Sequence, residues 1–256
     1  MRLFRWIRVQ LSIVVPVRNE QDNVLPLLAE IHTALAGIEA NPGEFEVIYV
    51  DDGSSDATPA RLVEALARYP RLRVLAHRQG CGQSAALMTG MRAARGEWIV
   101  TLDGDGQNDP ADIPKLLAAR DAASQAANLQ LVAGFRKTRR DSWMKRLSSR
   151  IANGVRARLL GDATSDTGCG LKLMARRTCL ELPYFDHMHR FLPALVQRNG
   201  GATISVEVNH RPRTRGTSNY GLLDRLWVGI VDLFGVMWLK RRARRPEASE
   251  VMRPWP

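Results

Sequence analysis

The chain has 256 residues and a mass of 28.6 kDa, which is enough for a full hydrophobic core in one domain or at most two. Apolar residues make up 45% and charged residues 25%, values that exclude a mostly disordered chain. The 37 lysines and arginines exceed the 26 acidic residues by 11, so the charge favours an anionic partner such as a nucleotide, a nucleic acid or a lipid phosphate.

Short runs rich in β-branched and aromatic residues alternate along the chain with segments of helical periodicity. The runs predict strands at 11–15, 45–50, 72–76, 98–102, 129–133 and 203–208. Helices are predicted between the first two strands and at 59–67, 84–94, 110–124 and 142–160. This alternation indicates an α/β fold with a mainly parallel, Rossmann-like sheet and helices on both faces.

The composition changes near the end of the chain. We predict a main domain at 1–220, an amphipathic helix with a basic cluster at 221–245, and a flexible tail at 246–256. The helix would have one broad apolar face, made of Leu222, Leu223, Leu226, Trp227, Ile230, Val231, Phe234, Met237 and Trp238. Such a helix suits a membrane interface or a small membrane-protein partner, and packing on the main domain is the alternative.

The location of the protein is predicted from three further features. No segment reaches the length of about 20 apolar residues that a membrane-spanning helix needs. No secretory signal is expected, because the apolar run at 11–17 ends in charged residues without a cleavage site. The three cysteines lack CxxC spacing, which favours a reduced compartment. These features predict a cytoplasmic protein, peripheral at the cytoplasmic face of the membrane.

Acidic side chains follow three of the predicted strands. Glu20 follows the first strand, Asp51 the second, and Asp103 and Asp105 the fourth. Because ligands of open α/β sheets bind beyond the carboxyl ends of the strands, we expect these carboxylates in one cleft. A divalent cation would relieve their repulsion. Asp103, Asp105 and Gln107 offer the hard oxygen ligands that Mg²⁺ prefers.

A second pattern that could bind a nucleotide lies between Asp51 and Asp103 in the sequence. Residues 80–85, Gly-Cys-Gly-Gln-Ser-Ala, match the dinucleotide fingerprint between a strand and a helix, which raises the hypothesis of an NAD-binding oxidoreductase. Two features count against it. The fingerprint follows the third strand instead of the first, and a ribose clamp needs neither Asp105 nor Gln107. A tight turn with close helix packing also explains the glycines.

Three motifs, in this order, resemble those of the inverting family 2 glycosyltransferases. They are Val-Pro-Val-Arg-Asn-Glu at 15–20, Val-Asp-Asp-Gly-Ser at 50–54 and Leu-Asp-Gly-Asp-Gly-Gln at 102–107. Within that family the chain is most similar to the dolichyl- and undecaprenyl-phosphate sugar transferases. The resemblance implies a GT-A fold and metal-dependent sugar transfer.

The resemblance also assigns roles on the donor side. It implies that the nucleotide pocket contains Pro16, Glu20, Asp51 and Asp103. It implies that Asp103, Asp105 and Gln107 bind Mg²⁺ or Mn²⁺ at the diphosphate of the nucleotide-sugar donor. A metal there would neutralise the charge of the leaving nucleoside diphosphate.

Three downstream motifs resemble the acceptor side of the polyprenyl-phosphate branch. They are Gly-Phe-Arg at 134–136, Asp-Thr-Gly-Cys-Gly at 166–170 and Arg-Gly-Thr-Ser-Asn-Tyr at 215–220. The resemblance implies that Arg136, Arg150 and Arg215 face phosphates, which suits the bidentate guanidinium group. It also places Arg211 and Ser218 near the acceptor. The predicted catalytic residues are Asp105, Asp166, Arg136, Arg150 and Arg215.

The predicted reaction is transfer of a sugar, with inversion, from a nucleotide diphosphate sugar to a polyprenyl phosphate lipid carrier. A phosphate monoester with a second pKa near ~6 needs no strong base. The alternative is transfer to a hydroxyl of a glycan or lipid headgroup, for which Asp166 would be the base. No nucleic-acid partner is expected, because reader motifs and interleaved aromatic and basic residues are lacking.

Overall fold

The computed structural model describes residues 9–38, 45–123, 128–136, 154, 156, 158–162, 164, 166–212 and 222–244, with 222–227 described by backbone alone. The strands of the described part form one seven-stranded sheet. They are β1 (Leu11–Val17), β2 (Phe45–Asp51), β3 (Leu72–Ala76), β4 (Trp98–Thr101), β5 (Leu129–Phe135), β6 (Lys172–Ala175) and β7 (Ala202–Glu207).

The strand order is β3-β2-β1-β4-β6-β5-β7. Neighbouring strands are parallel except where β6 pairs with β4 and with β5, so β6 alone runs against the others. This confirms the prediction of a mainly parallel sheet. The carboxyl ends of the other strands meet at one edge, and β6 begins at that same edge.

β6 is the strand of this sheet that the sequence patterns do not predict. It is four residues long, starts with the charged Lys172, and continues directly into a helix at Arg176. β4 is equally short but consists of Trp-Ile-Val-Thr, whereas Lys-Leu-Met-Ala in β6 contains no β-branched or aromatic residue that would indicate a strand.

The helices cover both faces of the sheet. The four predicted between β1 and β5 are present, although the fourth begins with a 3₁₀ turn at Pro110–Asp112. Of the helix predicted at 142–160, residues 154, 156 and 158–160 lie in the described part and are helical. Two short helices after β6 were not predicted. The described helices are α1 (Val24–Leu35), α2 (Thr58–Arg68), α3 (Gln83–Ala93), α4 (Ile113–Ala122), α5 (Arg176–Glu181), α6 (Leu192–Arg198) and α7 (Leu222–Arg241).

The two faces of β1 contact different core layers. Ile13 and Val15 belong to the layer that α1, α2 and α4 cover. Val14, which points the other way, belongs to the layer formed with α3, α6 and α7. Residues on both faces of this central strand are buried, as expected for a parallel strand between two helical layers.

The end of α7 docks on the main domain. Val236 is fully buried, and Leu233, Met237 and Leu239 pack against the α3–α6 layer. Arg198 Nε donates to the Leu239 carbonyl at 3.0 Å. This part of the helix therefore has the packing role that the sequence left as an alternative.

The opposite side of α7 carries exposed apolar side chains. Ile230, Val231, Phe234 and Trp238 are 38%, 54%, 63% and 60% exposed, and all four belong to the predicted apolar face. No helix in the part of the chain that the structure describes combines the length and the hydropathy of a membrane span. The proposed domain boundary at 220 and the tail at 246–256 lie outside the described residues.

Candidate active site

Three neighbouring strands bring the predicted carboxylates to one edge of the sheet. β1 runs parallel to β2, with Val17 opposite Asp51, and β4 lies on the other side of β1. The pairing of β1 with β4 ends at Val14. Glu20 and Asp103 follow the ends of β1 and β4, so they lie at the edge where open α/β sheets bind ligands.

The loops after β1 and β2 hold each other in place. Asn19 has a left-handed backbone, with φ of 56°, and its N–H donates to Ser54 Oγ at 2.9 Å. The Asn19 side-chain oxygen accepts from the Ser55 N–H at 2.8 Å. The Glu20 N–H donates to Thr58 Oγ1 at 2.9 Å. These bonds fix the position of Glu20 relative to the second loop.

Asp51 closes the turn that follows β2. Its Oδ1 accepts from the N–H and the Oγ of Ser54 at 3.0 and 2.5 Å. Gly53, between them, has φ of +68°, and a Cβ there would lie 2.6 Å from the Gly80 nitrogen. Both the conformation and the close backbone contact require glycine, which explains this position of the motif.

Asp52 accepts hydrogen bonds from the backbone N–H groups that a dinucleotide-binding loop would donate to a diphosphate. Its Oδ1 accepts from the Cys81 N–H and its Oδ2 from the Gly82 N–H, each at 2.8 Å. His77 Nδ1 lies 2.7 Å from Oδ1. Since these donors already bind a carboxylate, they are not available to a pyrophosphate. The geometry counts against the NAD-binding hypothesis.

The loop after β4 carries the predicted metal ligands. Gln83 Nε2 donates to Asp103 Oδ1 at 2.8 Å, and the Gln107 N–H donates to Asp105 Oδ1 at 3.1 Å. Burial, and then repulsion by Asp105, raises the pKa of Asp103 to about 6. Repelling carboxylates beside an amide oxygen are a donor set that suits a hard divalent cation, so the residues present fit Mg²⁺ or Mn²⁺.

The loop before β6 packs against this carboxylate. A Cβ at Gly170 would lie under 3.0 Å from the carboxylate carbon and both oxygens of Asp103, closer than real side chains pack. Thr101 Oγ1 donates to the Gly170 carbonyl at 2.7 Å. The predicted acceptor-side motif therefore helps to position the predicted metal loop.

A cavity of about 420 Å³ lies between the predicted metal loop and Arg136. Its volume lies in the range of small-molecule sites. It is open along the carboxyl edge of the sheet, between the metal loop, the end of β5 and the 3₁₀ turn at Met188–Arg190. Its polar lining includes Asp103, Gln107, Arg136, Lys172, His189 and Arg190.

A bidentate ion pair contributes to the acceptor side. Arg136 Nε donates to Asp166 Oδ2 at 2.6 Å, and Nη2 donates to Oδ1 at 3.0 Å. The Arg136 N–H also donates to Oδ2, at 3.2 Å. The two side chains are 13% and 8% exposed. Two parallel charge-assisted bonds fix the plane of both groups.

The family profile of glycosyl transferase family 2 matches residues 12–182, about two thirds of the chain. The chain belongs to glycosyl transferase family 2. This confirms the resemblance seen in the motifs and identifies the protein as a glycosyltransferase.

Two curated relatives of this glycosyltransferase are each 36% identical to it. The dodecaprenyl-phosphate galacturonate synthase of Rhizobium johnstonii matches 245 residues, 93% of this chain and 69% of the relative. The undecaprenyl-phosphate 4-deoxy-4-formamido-L-arabinose transferase of Edwardsiella ictaluri matches 214 residues, 83% of this chain and 63% of the relative. The chain thus spans about two thirds of the length of these relatives.

A solved structure shares the fold of this glycosyltransferase. Glucosyl-3-phosphoglycerate synthase from Mycobacterium tuberculosis, crystallised with Mn²⁺, uridine diphosphate and phosphoglyceric acid, superposes with a TM-score of 0.65. The match covers 93% of this chain and 80% of the other, at 20% identity. The predicted GT-A fold is confirmed.

Of the predicted site residues in the described part, Asp103, Gln107 and Arg136 line the cavity, whereas Pro16, Glu20, Asp51, Asp105, Asp166 and Arg211 do not. Pro16 is buried within β1, opposite Val50. Arg211 binds Glu30 and Asp109, each at 2.6 Å, and its N–H donates to the Gln107 carbonyl at 3.0 Å. Arg211 thereby ties the metal loop to α1. Its role at the acceptor stays a prediction.

Three more predicted residues, Arg150, Arg215 and Ser218, lie outside the described residues.

The cavity also contains two residues that the motifs do not single out. Lys172 is one charge inside an apolar run, an unusual pattern that could have drawn attention to it. His189 is hydrogen bonded to Ser84 Oγ at 2.8 Å and gives no comparable signal in the sequence.

A second group of possible metal ligands lies behind the metal loop. The ligand atoms of Asp52, His77 and Cys81 lie within 4.8 Å of one another. However, Asp52 accepts backbone hydrogen bonds with both oxygens, and His77 Nε2 is hydrogen bonded to Thr89 Oγ1 at 2.9 Å. These contacts give the cluster a structural role in holding the Gly-Cys-Gly turn.

Proposed function

We propose that this glycosyltransferase transfers a sugar, with inversion, from a nucleotide diphosphate sugar to a polyprenyl phosphate. The observation that carries the proposal is the cavity that Asp103 and Gln107, on the loop after β4, line together with Arg136, the partner of Asp166. The two curated relatives act, by name, on dodecaprenyl and undecaprenyl phosphate, which supports this acceptor class.

On the donor side, the nucleotide binds along the strand ends near Pro16, Glu20, Asp51 and Asp103. Asp103, Asp105 and Gln107 hold Mg²⁺ or Mn²⁺, and the Mn²⁺ in the structurally similar synthase supports this choice. When bound, the ion neutralises negative charge on the nucleoside diphosphate leaving group. The Gln83 amide keeps Asp103 oriented, because it donates to one of its carboxylate oxygens.

On the acceptor side, the attacking group is a phosphate oxygen. A phosphate monoester is largely dianionic at neutral pH, so no residue has to remove a proton from it. Asp166 already accepts three hydrogen bonds from Arg136, which favours an orienting role over that of a base. Arg136, together with Arg150, Arg211, Arg215 and Ser218, recognises the acceptor phosphate.

The enzyme reaches its lipid acceptor by peripheral attachment at the cytoplasmic face of the membrane. The exposed apolar side chains of α7 include Phe234 and Trp238, and exposed arginines follow at Arg241, Arg242 and Arg244. The Arg242 guanidinium carbon lies 6.0 Å from the centre of the Trp238 ring. An apolar face with tryptophan beside cations is typical of interfacial helices.

Transfer assays test the proposal directly. UDP- and GDP-sugars are incubated, with Mn²⁺ or with a chelator, together with a short polyprenyl phosphate. The matched controls are the same polyprenyl alcohol without phosphate and an alkyl glycoside. We expect product only from the phosphate, in the presence of metal, with the anomeric configuration opposite to that of the donor. Product from a hydroxyl acceptor, and none from the phosphate, would contradict the proposal.

A further inference from the structure

Lys172 is a buried cation of the reaction cavity to which no motif assigns a role. β6 runs against the other strands, so its first residue stands at the edge where they end. Lys172 is in register with Thr101, the last residue of β4, and with Ala133 of β5. Its side chain lines the cavity together with Asp103 and Arg136.

The ammonium group of Lys172 has more donors than protein partners. The residue is 3% exposed, and its Nζ donates to the Cys169 carbonyl, its one hydrogen bond to the part of the chain that the structure describes. An ammonium group carries three donors, and a buried donor without an acceptor costs free energy. Within the described part of the chain, two of its donors therefore have no acceptor, so they can bind a ligand or water in the cavity.

Carboxylates surround this charge without pairing with it. Burial lowers the pKa of Lys172, while Cys169, Asp103 and Asp166 act in the opposite direction. None of the ion pairs formed among the described residues includes Lys172, whereas Asp166 is paired with Arg136. The ammonium group is thus held near the metal loop and the acceptor-side pair, with its own charge not neutralised by contact.

We propose that Lys172 binds a phosphate oxygen in the cavity during sugar transfer. The inference rests on the proposed function, in which the donor diphosphate and the acceptor monoester both bring phosphate oxygens to this place. A lysine ammonium is a compact charge that suits such an oxygen. In the transfer, the bond from the anomeric carbon to the diphosphate oxygen breaks with its electron pair, and the acceptor oxygen bonds to that carbon. The step transfers no proton to or from Lys172.

Four variants separate this role from a structural one. Lys172→Met removes the charge and keeps the length of the side chain, and Lys172→Gln keeps a donor for the Cys169 carbonyl. Lys172→Arg keeps the charge. Arg177→Met is the matched control, because Arg177 is 90% exposed and pairs with Glu181 on α5. The melting temperature of each variant reports whether it is folded.

We expect kcat/KM to fall about tenfold to a hundredfold in the Met and Gln variants, the range for losing a hydrogen bond from a charged group. The Arg variant should recover part of this loss, and Arg177→Met should behave like the unmodified protein. If Lys172→Met does not fold, Lys172→Gln carries the test, since it preserves the bond to Cys169.

Two measurements identify the source of the phosphate. Calorimetry with UDP or GDP plus Mn²⁺, without acceptor, reports the donor diphosphate, and the KM for a short polyprenyl phosphate reports the acceptor. Weaker nucleotide binding assigns Lys172 to the donor, and a raised KM assigns it to the acceptor. The nucleotide measurement needs no acceptor, so it tests Lys172 even if polyprenyl phosphate is not the substrate. Folded Met and Gln variants with unchanged nucleotide affinity, KM and kcat would overturn the proposal.

Discussion

The donor half of the sheet, β3-β2-β1-β4, and the acceptor half, β6-β5-β7, build their parts of the site by different means. In the donor half, acidic side chains bind backbone N–H groups, as Asp51 does in its own turn and Asp52 does at Cys81 and Gly82. In the acceptor half, Asp166 accepts two bonds from the Arg136 side chain and one from its backbone N–H, so all three depend on the fit of one residue 30 positions away. Backbone donors are present whatever the sequence, whereas a side-chain pair needs both partners. We therefore expect the effects of donor-side substitutions to be additive, and the effects of acceptor-side substitutions to depend on one another.

The largest effect is expected at the donor loop, from Asp105→Asn. Asp105 is partly exposed on a loop, so the substitution should leave the fold intact. Loss of an anionic ligand should weaken binding of the cation that would neutralise the leaving diphosphate, so kcat should fall by about 10²–10³. Asp121→Asn, at an exposed acid of α4 paired with Arg120, is the matched control. Calorimetry that shows unchanged Mn²⁺-dependent nucleotide binding in the Asp105 variant would remove Asp105 from the metal site.

The contact between the two halves is tested by Gly170→Ala. The added methyl group would overlap the Asp103 carboxylate, so either this loop or the metal loop must move. A displacement of about 1 Å at a reacting centre can cost about 10²-fold in rate, and we expect a loss of that order. Gly37→Ala is the control, because a Cβ at Gly37 meets nothing within 4 Å. Equal activity of the two variants would show that the halves are not coupled through Gly170.

The contrast between the halves also explains how far the sequence could predict the site. Asp51, Asp103 and Asp105 follow recognisable strands, and parallel strands end at one edge, so their convergence follows from the pattern alone. β6 offers no such pattern, because Lys-Leu-Met-Ala contains no β-branched or aromatic residue. Lys172, its first residue, is one of 37 basic residues until the antiparallel pairing brings it to the cavity. The resemblance to relatives singled out Arg136 and Asp166, but not the ion pair between them.

On the acceptor side we expect smaller losses that depend on the partner. Arg136→Ala, Arg150→Ala and Arg215→Ala should each raise the KM for lipid phosphate about tenfold to a hundredfold, and more than the KM for the nucleotide sugar. The double variant Arg136→Ala/Asp166→Ala should lose less transition-state stabilisation than the sum of the losses in the two single variants, because both residues belong to one ion pair. Steady-state kinetics with each substrate varied in turn measures both effects. Equal losses for donor and acceptor in all three arginine variants would count against the assignment.

A stability effect is expected from His189, which lies where the two halves meet. Burial, with Lys172 and Arg190 nearby, lowers the pKa of His189 to about 3. Between that value and the ordinary value of about 6.5, the unfolded chain binds a proton that the folded chain does not. Stability should therefore fall as the pH drops through this window, by at most about 1.4 kcal/mol per pH unit from this group. In His189→Gln the difference in urea unfolding free energy between pH 7 and pH 5 should be smaller. An unchanged difference would show that His189 does not titrate this way.

The smallest single effects are expected on the outer side of α7. Each exposed arginine near an anionic leaflet contributes about 1 kcal/mol, so Arg241→Gln and Arg244→Gln should each weaken vesicle binding about fivefold. Arg177→Gln, on α5, is the control. Truncation after Tyr220 should release the protein altogether, but it would also expose the core contacts of Leu233 and Val236, so point variants are the sharper test.

Co-sedimentation with vesicles that contain anionic lipids, at low and high salt, measures this binding. Trp238→Ser should weaken it at both salt concentrations, because Trp238 is 60% exposed and acts by apolar contact, which salt does not screen. The arginine variants should differ from the unmodified protein mainly at low salt. Nucleotide binding should stay intact in all of them, since the exposed face of α7 does not line the cavity. If the full chain fails to co-sediment at low salt, direct attachment is wrong, and the exposed face of α7 is better explained as the docking site for a small membrane protein.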